Sequence, residues 1–181
     1  MSELLEWQML RHLPYIFEVS MAGLKIYEID KRYLGYISNY SEHVFYSPTD
    51  VSKRKYIGII LEIGKMKYFA PLSSFKQKHK KMSEGVDFIK IKDYSVININ
   101  NMIPVPDGYY YLVDINGESD PHYKYLLQAE AREINKQRNR ILKNASIVRS
   151  HKLSHKDSTP LSKRCNDFEA LEKACMQFVK G

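Results

Sequence analysis

Two short apolar runs on either side of Gly64-Lys65 constrain the fold of this chain more than any other feature. The first run reads YIGIILEI over residues 56–63, and the second reads MKYFAPL over residues 66–72. Both are rich in β-branched and aromatic residues, and a two-residue connection that contains glycine is typical of a β-hairpin. We therefore predict a hairpin whose second strand ends at Pro71, because proline has no N–H to donate to the sheet.

Hydroxyl, ammonium and imidazole groups follow directly after this hairpin. Residues 73–82 read SSFKQKHKKM. A rigid hairpin that presents these groups on one exposed loop suits a polyanion, and phosphodiester chemistry in particular, because fixed donors and cations stabilise charge that grows on a phosphorane. The plainer interpretation is a helix start capped by Ser73 or Ser74, and both can hold because a helix N-terminus attracts phosphate.

The charge and the tyrosine content favour nucleic acid as the ligand. The sequence has 28 Lys and Arg residues against 21 Asp and Glu, a net charge of +7, and 14 tyrosines. Positive charge attracts phosphates, and tyrosine rings stack on unpaired bases. The alternative is a basic protein whose tyrosines line the faces of a sheet.

Other function classes find little support in the sequence. No run approaches the roughly 20 apolar residues of a membrane span, and the acidic start MSELLEW lacks the basic opening of a secretory signal. We expect a cytoplasmic protein without a membrane partner. Cys165 and Cys175 lie ten residues apart, which is not a zinc spacing, so we predict reduced, buried thiols without an assigned role. His151 and His155 share helical spacing but lack a neighbouring acid, so we expect neither a metal nor a cofactor.

The order of the elements indicates an α+β protein. A strand over residues 24–29 and a short helix near 30–37 precede a long polar loop. After the hairpin, short runs separated by Pro, Gly and Asn predict further antiparallel strands, which read DFIKIK, YSVINI, MIPVP and GYYYLVDI. Strands first and helices last favour a compact twisted antiparallel sheet, or a partly closed barrel, with appended helices.

Two C-terminal helices complete this prediction. Ser119-Asp120-Pro121 is a helix start signal, and an apolar stripe with helical period continues to about Ala145. We predict a polar loop over residues 149–164 and a last helix capped by Asn166 or Asp167. Residues 1–23 are interpreted as an N-terminal extension that is helical in pattern, and residues 24–181 as one domain.

The sequence YIGIILE followed by YFAPLSS-x-K resembles the ToxN/AbiQ family, the endoribonuclease toxins of type III toxin–antitoxin systems, with their CptN- and TenpN-like relatives. The resemblance covers about residues 24–180 and implies a Kid/MazF-like fold. Residues 71–76, PLSSFK, match the family's Pro-Leu-Thr/Ser-Ser-x-Lys stretch, which holds the active site. By this match Ser74 contacts the reacting ribose and phosphate, Ser73 supports it, and Lys76 stabilises charge.

The resemblance extends to further residues. The basic residue of the family that precedes the YIGI strand falls at Arg54, with Lys53 and Lys55 as alternatives. A tyrosine of its first helix falls at Tyr33. Independently of the resemblance, His79 is a candidate proton donor to the leaving 5′-oxygen because histidine titrates near neutral pH, and an RNA-binding or surface histidine is the alternative. The residues expected to bind RNA are Tyr33, Lys53, Lys55, Lys78, Lys80, Lys81, Tyr46, Arg132, Lys136 and Arg140.

The function that this resemblance implies is a metal-independent, sequence-preferring endoribonuclease toxin. It would cut single-stranded RNA to 2′,3′-cyclic phosphate and 5′-hydroxyl ends, act on cellular mRNA, and serve in abortive infection as an antiviral defence. Its partner would be an RNA antitoxin of pseudoknot repeats, which it processes and which then holds it in a closed toxin–RNA hetero-oligomer. A non-catalytic RNA-binding module is the alternative; a DNA-binding protein is disfavoured because no helix-turn-helix pattern is visible.

Overall fold

A computed structural model describes residues 23–49 and 54–180 of the chain. The predicted N-terminal helical stripe and Lys53 lie outside the described residues. The strands are β1 (Lys25–Ile29), β2 (Lys55–Ile63), β3 (Met66–Ser74), β4 (Phe88–Ile91), β5 (Ser95–Asn98), β6 (Ile103–Val105) and β7 (Tyr110–Leu112). The helices are α1 (Lys31–Ile37), α2 (Gln77–Lys81), α3 (Pro121–Lys136), α4 (Arg138–His155), α5 (Pro160–Lys163) and α6 (Phe168–Lys180).

The predicted hairpin is confirmed. Strands β2 and β3 pair antiparallel across Gly64-Lys65, with Ile63 opposite Met66. Gly64 has a φ of +60°, which glycine adopts without the Cβ clash that other residues suffer. The hairpin therefore forms where the glycine-containing connection placed it.

The predicted end of the second strand is wrong. Strand β3 passes through Pro71 and continues to Ser74. One edge of β3 pairs with β6 over residues 67–69 and with β5 over residues 72–74, so this ladder lapses at Ala70 and Pro71. Proline is tolerated inside a strand at such an irregularity, because no ladder hydrogen bond is lost there.

The described strands form one antiparallel sheet in the order β4-β5-β3-β2-β1-β7, with β6 also paired to β3. The sheet is not closed into a barrel. Helices cover both faces: α3 and α4 pack on one face against Ile26, Ile57 and Ile97, while α1 and α6 pack on the other against Tyr56 and Phe69. The predicted α+β class is confirmed.

The helices begin where the sequence indicated but divide differently. The Asp120 side chain accepts hydrogen bonds from the N–H groups of His122 and Tyr123, at 2.9 and 3.3 Å, and so caps α3. The predicted single helix is two, because α3 ends at Lys136 and α4 begins at Arg138.

The predicted loop over residues 149–164 is wrong at both ends, since α4 continues to His155 and the short helix α5 covers Pro160–Lys163. The buried face of α4 extends through Val148 to Lys152. Because Lys152 is charged, the apolar pattern in the sequence stops before the helix does. The Lys152 ammonium donates to Asp157 at 2.5 Å and to the Ser162 carbonyl at 3.0 Å. These partners offset the cost of burying the charge.

Both cysteines are free and buried, as predicted. Burial raises the pKa of the Cys165 thiol to about 11 and also raises the pKa of the Cys175 thiol. Both thiols are therefore held in the protonated, unreactive form at neutral pH. Among the helices of the described residues, none is long and apolar enough to cross a membrane.

Helix α6 is anchored to the sheet by a carboxylate that three donors share. Glu172 accepts from the Tyr68 hydroxyl at 2.5 Å and from Nε and Nη2 of Arg149 at 2.6 and 3.0 Å. The Glu172 and Arg149 side chains are only 13% and 18% exposed. This contact ties β3, α4 and α6 together.

Replacing Glu172 by Gln should therefore lower the free energy of unfolding by about 3 kcal/mol, because the Arg149 charge would stay largely buried without its partner. Chemical denaturation followed by circular dichroism measures this change. Glu169→Gln on the same helix is the matched control, since the Glu169–Lys173 pair is exposed and should contribute nothing measurable. Equal stabilities of the two variants would contradict the anchoring role.

Candidate active site

The two serines of the matched motif lie at the end of β3, where pairing with β5 fixes them. Ser73 lies opposite Val96, and Ser74 lies opposite Ser95. Ser74 is exposed and Ser73 is half-buried. Neither serine caps a helix, because the N-cap of α2 is Lys76, so the plainer interpretation of the motif as a capped helix start does not describe these two serines.

The backbone after Ser74 is also held at each step. The Phe75 N–H donates to the Tyr94 carbonyl at 3.1 Å. The Lys76 N–H donates to Nδ1 of His79 at 2.9 Å, and the His79 N–H donates back to the Lys76 carbonyl at 2.8 Å. Lys76 itself is exposed, so its ammonium extends from a fixed backbone toward solvent.

His79 is a buried part of this loop rather than an exposed imidazole. It is 6% exposed, and its ring lies 5.6 Å from the ring of Phe75 and 5.8 Å from that of Phe88. Burial, and then the nearby lysines, lower the pKa of His79. Because Nδ1 accepts the Lys76 N–H, the ring is neutral with its proton on Nε2. This environment opposes the charged form that the predicted proton donor requires, so the structure assigns His79 to holding the loop.

The basic residues at the start of β2, Arg54 and Lys55, lie beside the serines in the strand register. Continuing the register of β2 and β3 past its last paired residues places Lys55 opposite Leu72 and Arg54 opposite Ser73. Side chains alternate along a strand, so Lys55 shares a sheet face with Ser74, and Arg54 shares the other face with Ser73. The structure thus brings cations to both sides of the strand end.

These two cations have different neighbours. The Arg54 guanidinium lies over the Phe45 ring at 4.5 Å from its centroid. The Lys55 ammonium pairs with the Glu28 carboxylate of β1. Arg54 is therefore held by a ring on a surface loop, and Lys55 by a charge within the sheet.

The two tyrosines expected to contact RNA differ in position. Tyr33 is a core residue: it is 0% exposed, and its hydroxyl donates to the Pro104 carbonyl at 2.5 Å. Its apolar ring is needed for packing between α1 and α6, so it is not an exposed base contact, contrary to expectation. Tyr46 is exposed and lies on Gly35, where a Cβ would come within 3.1 Å of its ring. Glycine at this position lets the ring contact helix α1.

Four of the remaining predicted cations are exposed. Lys78, Lys80 and Lys81 are exposed on α2, and Arg132 is exposed on α3. These side chains stay available to a polyanion.

Two further cations lie where α3 meets α4. Lys136 pairs with Glu133 at 2.7 Å, and Arg140 pairs with Glu84 at 3.1 Å. Glu84 also accepts the Lys90 N–H of β4 at 2.9 Å, so it connects the start of α4 with the segment that follows α2.

Sequence reasoning missed several residues at this end of the sheet. Ser95 faces Ser74 and carries no sequence signal. Glu130 had a signal, because it occupies the apolar stripe of α3 between Leu127 and Ile134, where an acidic residue is unexpected. Phe45, whose ring contacts the Arg54 guanidinium, carried no signal because it lies in a loop that the sequence predicts to be polar.

The arrangement can bind and polarise a phosphate. Ser73 and Ser74 end β3 on a backbone that is fixed by hydrogen bonds before any ligand arrives, and Arg54, Lys55 and Lys76 lie near them in the chain or in the strand register. Preorganised donors of this kind stabilise developing negative charge. Within residues 23–49 and 54–180, no group of three or more His, Cys, Asp or Glu residues is arranged to hold a metal.

Residues 25–176 match the sequence model of a family described as toxin ToxN, type III toxin–antitoxin system. The chain belongs to this family. It is 29% identical over 167 residues to the endoribonuclease ToxN of Pectobacterium atrosepticum, with 87% of this chain and 95% of that protein covered. It is 24% identical over 176 residues to the endoribonuclease AbiQ of Lactococcus lactis subsp. lactis, with 90% and 93% covered.

A solved structure of a bacterial type III toxin–antitoxin system, concerned with selective toxin inhibition by a non-coding RNA pseudoknot, has the same fold. Its TM-score is 0.76 at 24% identity, covering 88% of this chain and 99% of that chain. The resemblance to the ToxN/AbiQ family is thus confirmed, and the matched residues include the whole strand end described above.

The depressed pKa of His79 predicts a stability that depends on pH. The unfolded chain binds a proton at His79 near its ordinary pKa, about 6.5, whereas the folded protein binds it only at lower pH. The contribution is therefore present above the unfolded pKa and lost as the pH falls below it. Urea unfolding at pH 7.5 and pH 5.5 should show a smaller loss of stability in His79→Gln than in wild type. An unchanged pH dependence would contradict the buried, neutral ring.

Proposed function

We propose that this protein is an endoribonuclease toxin that cuts single-stranded RNA by internal attack of a ribose 2′-hydroxyl. The observation that carries the proposal is the pair Ser73-Ser74 with Lys76, fixed at the end of β3 among cations, in a chain of the ToxN family. Relatives across nearly its full length are named endoribonucleases.

The proposed chemistry follows from these groups. The 2′-hydroxyl gives up its proton to water as its oxygen bonds to the adjacent phosphorus, and the bond from phosphorus to the 5′-oxygen breaks. The 5′-oxygen takes up a proton from water, which leaves a 2′,3′-cyclic phosphate and a 5′-hydroxyl. The Ser74 hydroxyl contacts the ribose and the phosphate, and Ser73 supports it. Lys76, with Arg54 and Lys55 on either face, stabilises the charge on the phosphorane. We assign no step to a metal or a cofactor.

The partners that we propose are RNAs. The structural neighbour concerns toxin inhibition by an RNA pseudoknot, and we propose that a repeat pseudoknot antitoxin is cut by this protein and then inhibits it in a closed toxin–RNA assembly. Cellular mRNA in the cytoplasm would be the toxic target, and arrest of growth during phage infection the outcome. Residues 24–181 would form the toxin domain.

The basic surface would set affinity, while the exposed rings would select unpaired RNA. Lys78, Lys80 and Lys81 of α2 lie directly after the strand end and so can contact the phosphates that flank the cut. Tyr46 offers a ring for stacking. Sequence preference would come from such contacts to splayed bases.

Cleavage of a long single-stranded RNA in the presence of EDTA tests the proposed chemistry. Wild type should give 2′,3′-cyclic phosphate ends, and Ser74→Ala should cut about 100- to 1,000-fold more slowly, because one positioned hydrogen-bonding hydroxyl at the reacting ribose is lost. Ser154→Ala, an exposed serine outside the site, is the matched control and should cut at the wild-type rate.

Two outcomes would reject parts of this proposal. Tight RNA binding without cleavage by the wild type would replace it with a non-catalytic binding module. Full cleavage by Ser74→Ala would remove the site assignment, and loss of cleavage in EDTA with recovery on adding Mg²⁺ would remove the metal-independent chemistry.

The lysines of α2 should act on binding rather than on turnover. Neutralising Lys78, Lys80 and Lys81 with Gln should weaken RNA binding and reduce the slope of log K against log salt by about 0.7 for each lost phosphate contact. The turnover rate at saturating RNA should stay unchanged. Gln at Lys65, Lys163 and Lys173 provides a control with the same change in net charge, and an equal effect in the control would show that only net charge matters.

A further inference from the structure

One hydroxyl beside the site is buried without a hydrogen bond. Ser95 is 1% exposed, and its Oγ has no hydrogen-bond partner among the described residues. Buried hydroxyls are normally hydrogen-bonded, because a hydroxyl that loses its hydrogen bonds to water on folding and gains none in the protein raises the free energy of the folded state. A group that breaks this rule directly opposite Ser74 requires an explanation.

A carboxylate lies on the inner side of the same hydroxyl. Glu130 of α3 is 5% exposed, on the sheet face that also carries Ser95. Burial raises the pKa of Glu130, while the neighbouring Ser95 hydroxyl opposes this shift. Burying the Glu130 carboxylate costs desolvation free energy, and this carboxylate lies beside Ser95, the residue opposite Ser74.

Ser74 completes a row that runs from the interior to the surface. Residues directly opposite in an antiparallel pair project on the same face with Cβ atoms about 4.5–5.5 Å apart, close enough for hydroxyls to meet. Ser74 and Ser95 are such a pair. Glu130, Ser95 and Ser74 thus succeed one another from buried to exposed.

We propose that Glu130 and Ser95 are positioning residues for RNA cleavage, which orient the Ser74 hydroxyl from behind. This role deepens the proposed endoribonuclease function and rests on it. Neither residue touches the RNA.

The orientation would follow from the direction of the hydrogen bonds. The Ser95 hydroxyl donates a hydrogen bond to the Glu130 carboxyl. The lone pairs of Ser95 then remain free to accept a hydrogen bond from the Ser74 hydroxyl. The lone pairs of Ser74 then face outward, where they accept a hydrogen bond from the 2′-hydroxyl of the ribose. No proton leaves the row, so its effect is geometric.

Stability and activity should therefore separate in Ser95→Ala. Ser95→Ala removes one buried hydroxyl of the row and leaves the packing around it intact, so the Tm should fall by only a few degrees. The turnover rate kcat should fall by about 100-fold if Ser74 is misoriented, with KM unchanged because no RNA contact is lost. A purely structural role of Ser95 could not produce this combination.

The experiment measures kcat and KM on a long single-stranded RNA, and Tm, for wild type, Ser95→Ala, Glu130→Gln and the double variant. Glu130→Gln should cost less than Ser95→Ala, because the amide oxygen still accepts a hydrogen bond. The double variant should be no slower than Ser95→Ala, since residues in one row are not additive. Glu169→Gln and Ser154→Ala are the controls, and both should cleave at the wild-type rate.

Each contrary outcome has its own meaning. Wild-type kcat in Ser95→Ala would overturn the inference, and so would a double variant whose loss is the product of the two single losses. If Glu130→Gln fails to fold, Ser95→Ala alone decides. Absence of cleavage by the wild type would overturn the proposed function and this inference with it, whereas equal cleavage by wild type and Ser95→Ala would overturn the inference only.

Discussion

The pairing of β3 along both of its edges is the constraint on which the rest of this structure depends. Strand β3 pairs with β2 on one edge and with β6 and then β5 on the other. The exchange of partners past Pro71 carries the strand three residues beyond the point where a proline would be expected to end it. Those extra residues bring Ser73 and Ser74 to the margin of the sheet on a backbone that β5 holds in place.

The loop that follows β3, residues 75–79, is also held in place, in this case by local contacts. The mutual hydrogen bonds of Lys76 and His79 close a short turn, and the rings of Phe75 and Phe88 enclose the imidazole. A lysine on a mobile loop would lose much of its conformational entropy on binding phosphate. In this loop the backbone of Lys76 loses its conformational entropy when the protein folds, so only the lysine side chain remains to be ordered when phosphate binds.

The electrostatics of this region combine exposed cations with acids that are set back in the protein. The ammonium groups of α2 face solvent, whereas Glu28 and Glu130 lie within the sheet and under α3. An acid at the surface, as Glu84 is beside Arg140, offsets the cation with which it pairs and reduces the positive charge that RNA meets. Partly or fully buried acids can instead hold neighbouring groups in place, as the half-buried Glu28 does for Lys55, while adding little negative charge to the surface that a polyanion meets.

The sequence by itself determined the hairpin, the α+β class, the cap at Asp120 and the motif of two serines and a lysine, because each depends on neighbours in the chain. It misjudged features that depend on distant partners. The continuation of β3 past Pro71 required β5, and the length of α4 required the partners of the buried Lys152. The burial of Tyr33 and His79 required side chains from other elements. Only the tertiary structure could place Ser95 and Glu130 behind Ser74, because strand register and helix packing bring them together across 56 residues of sequence from Ser74 to Glu130.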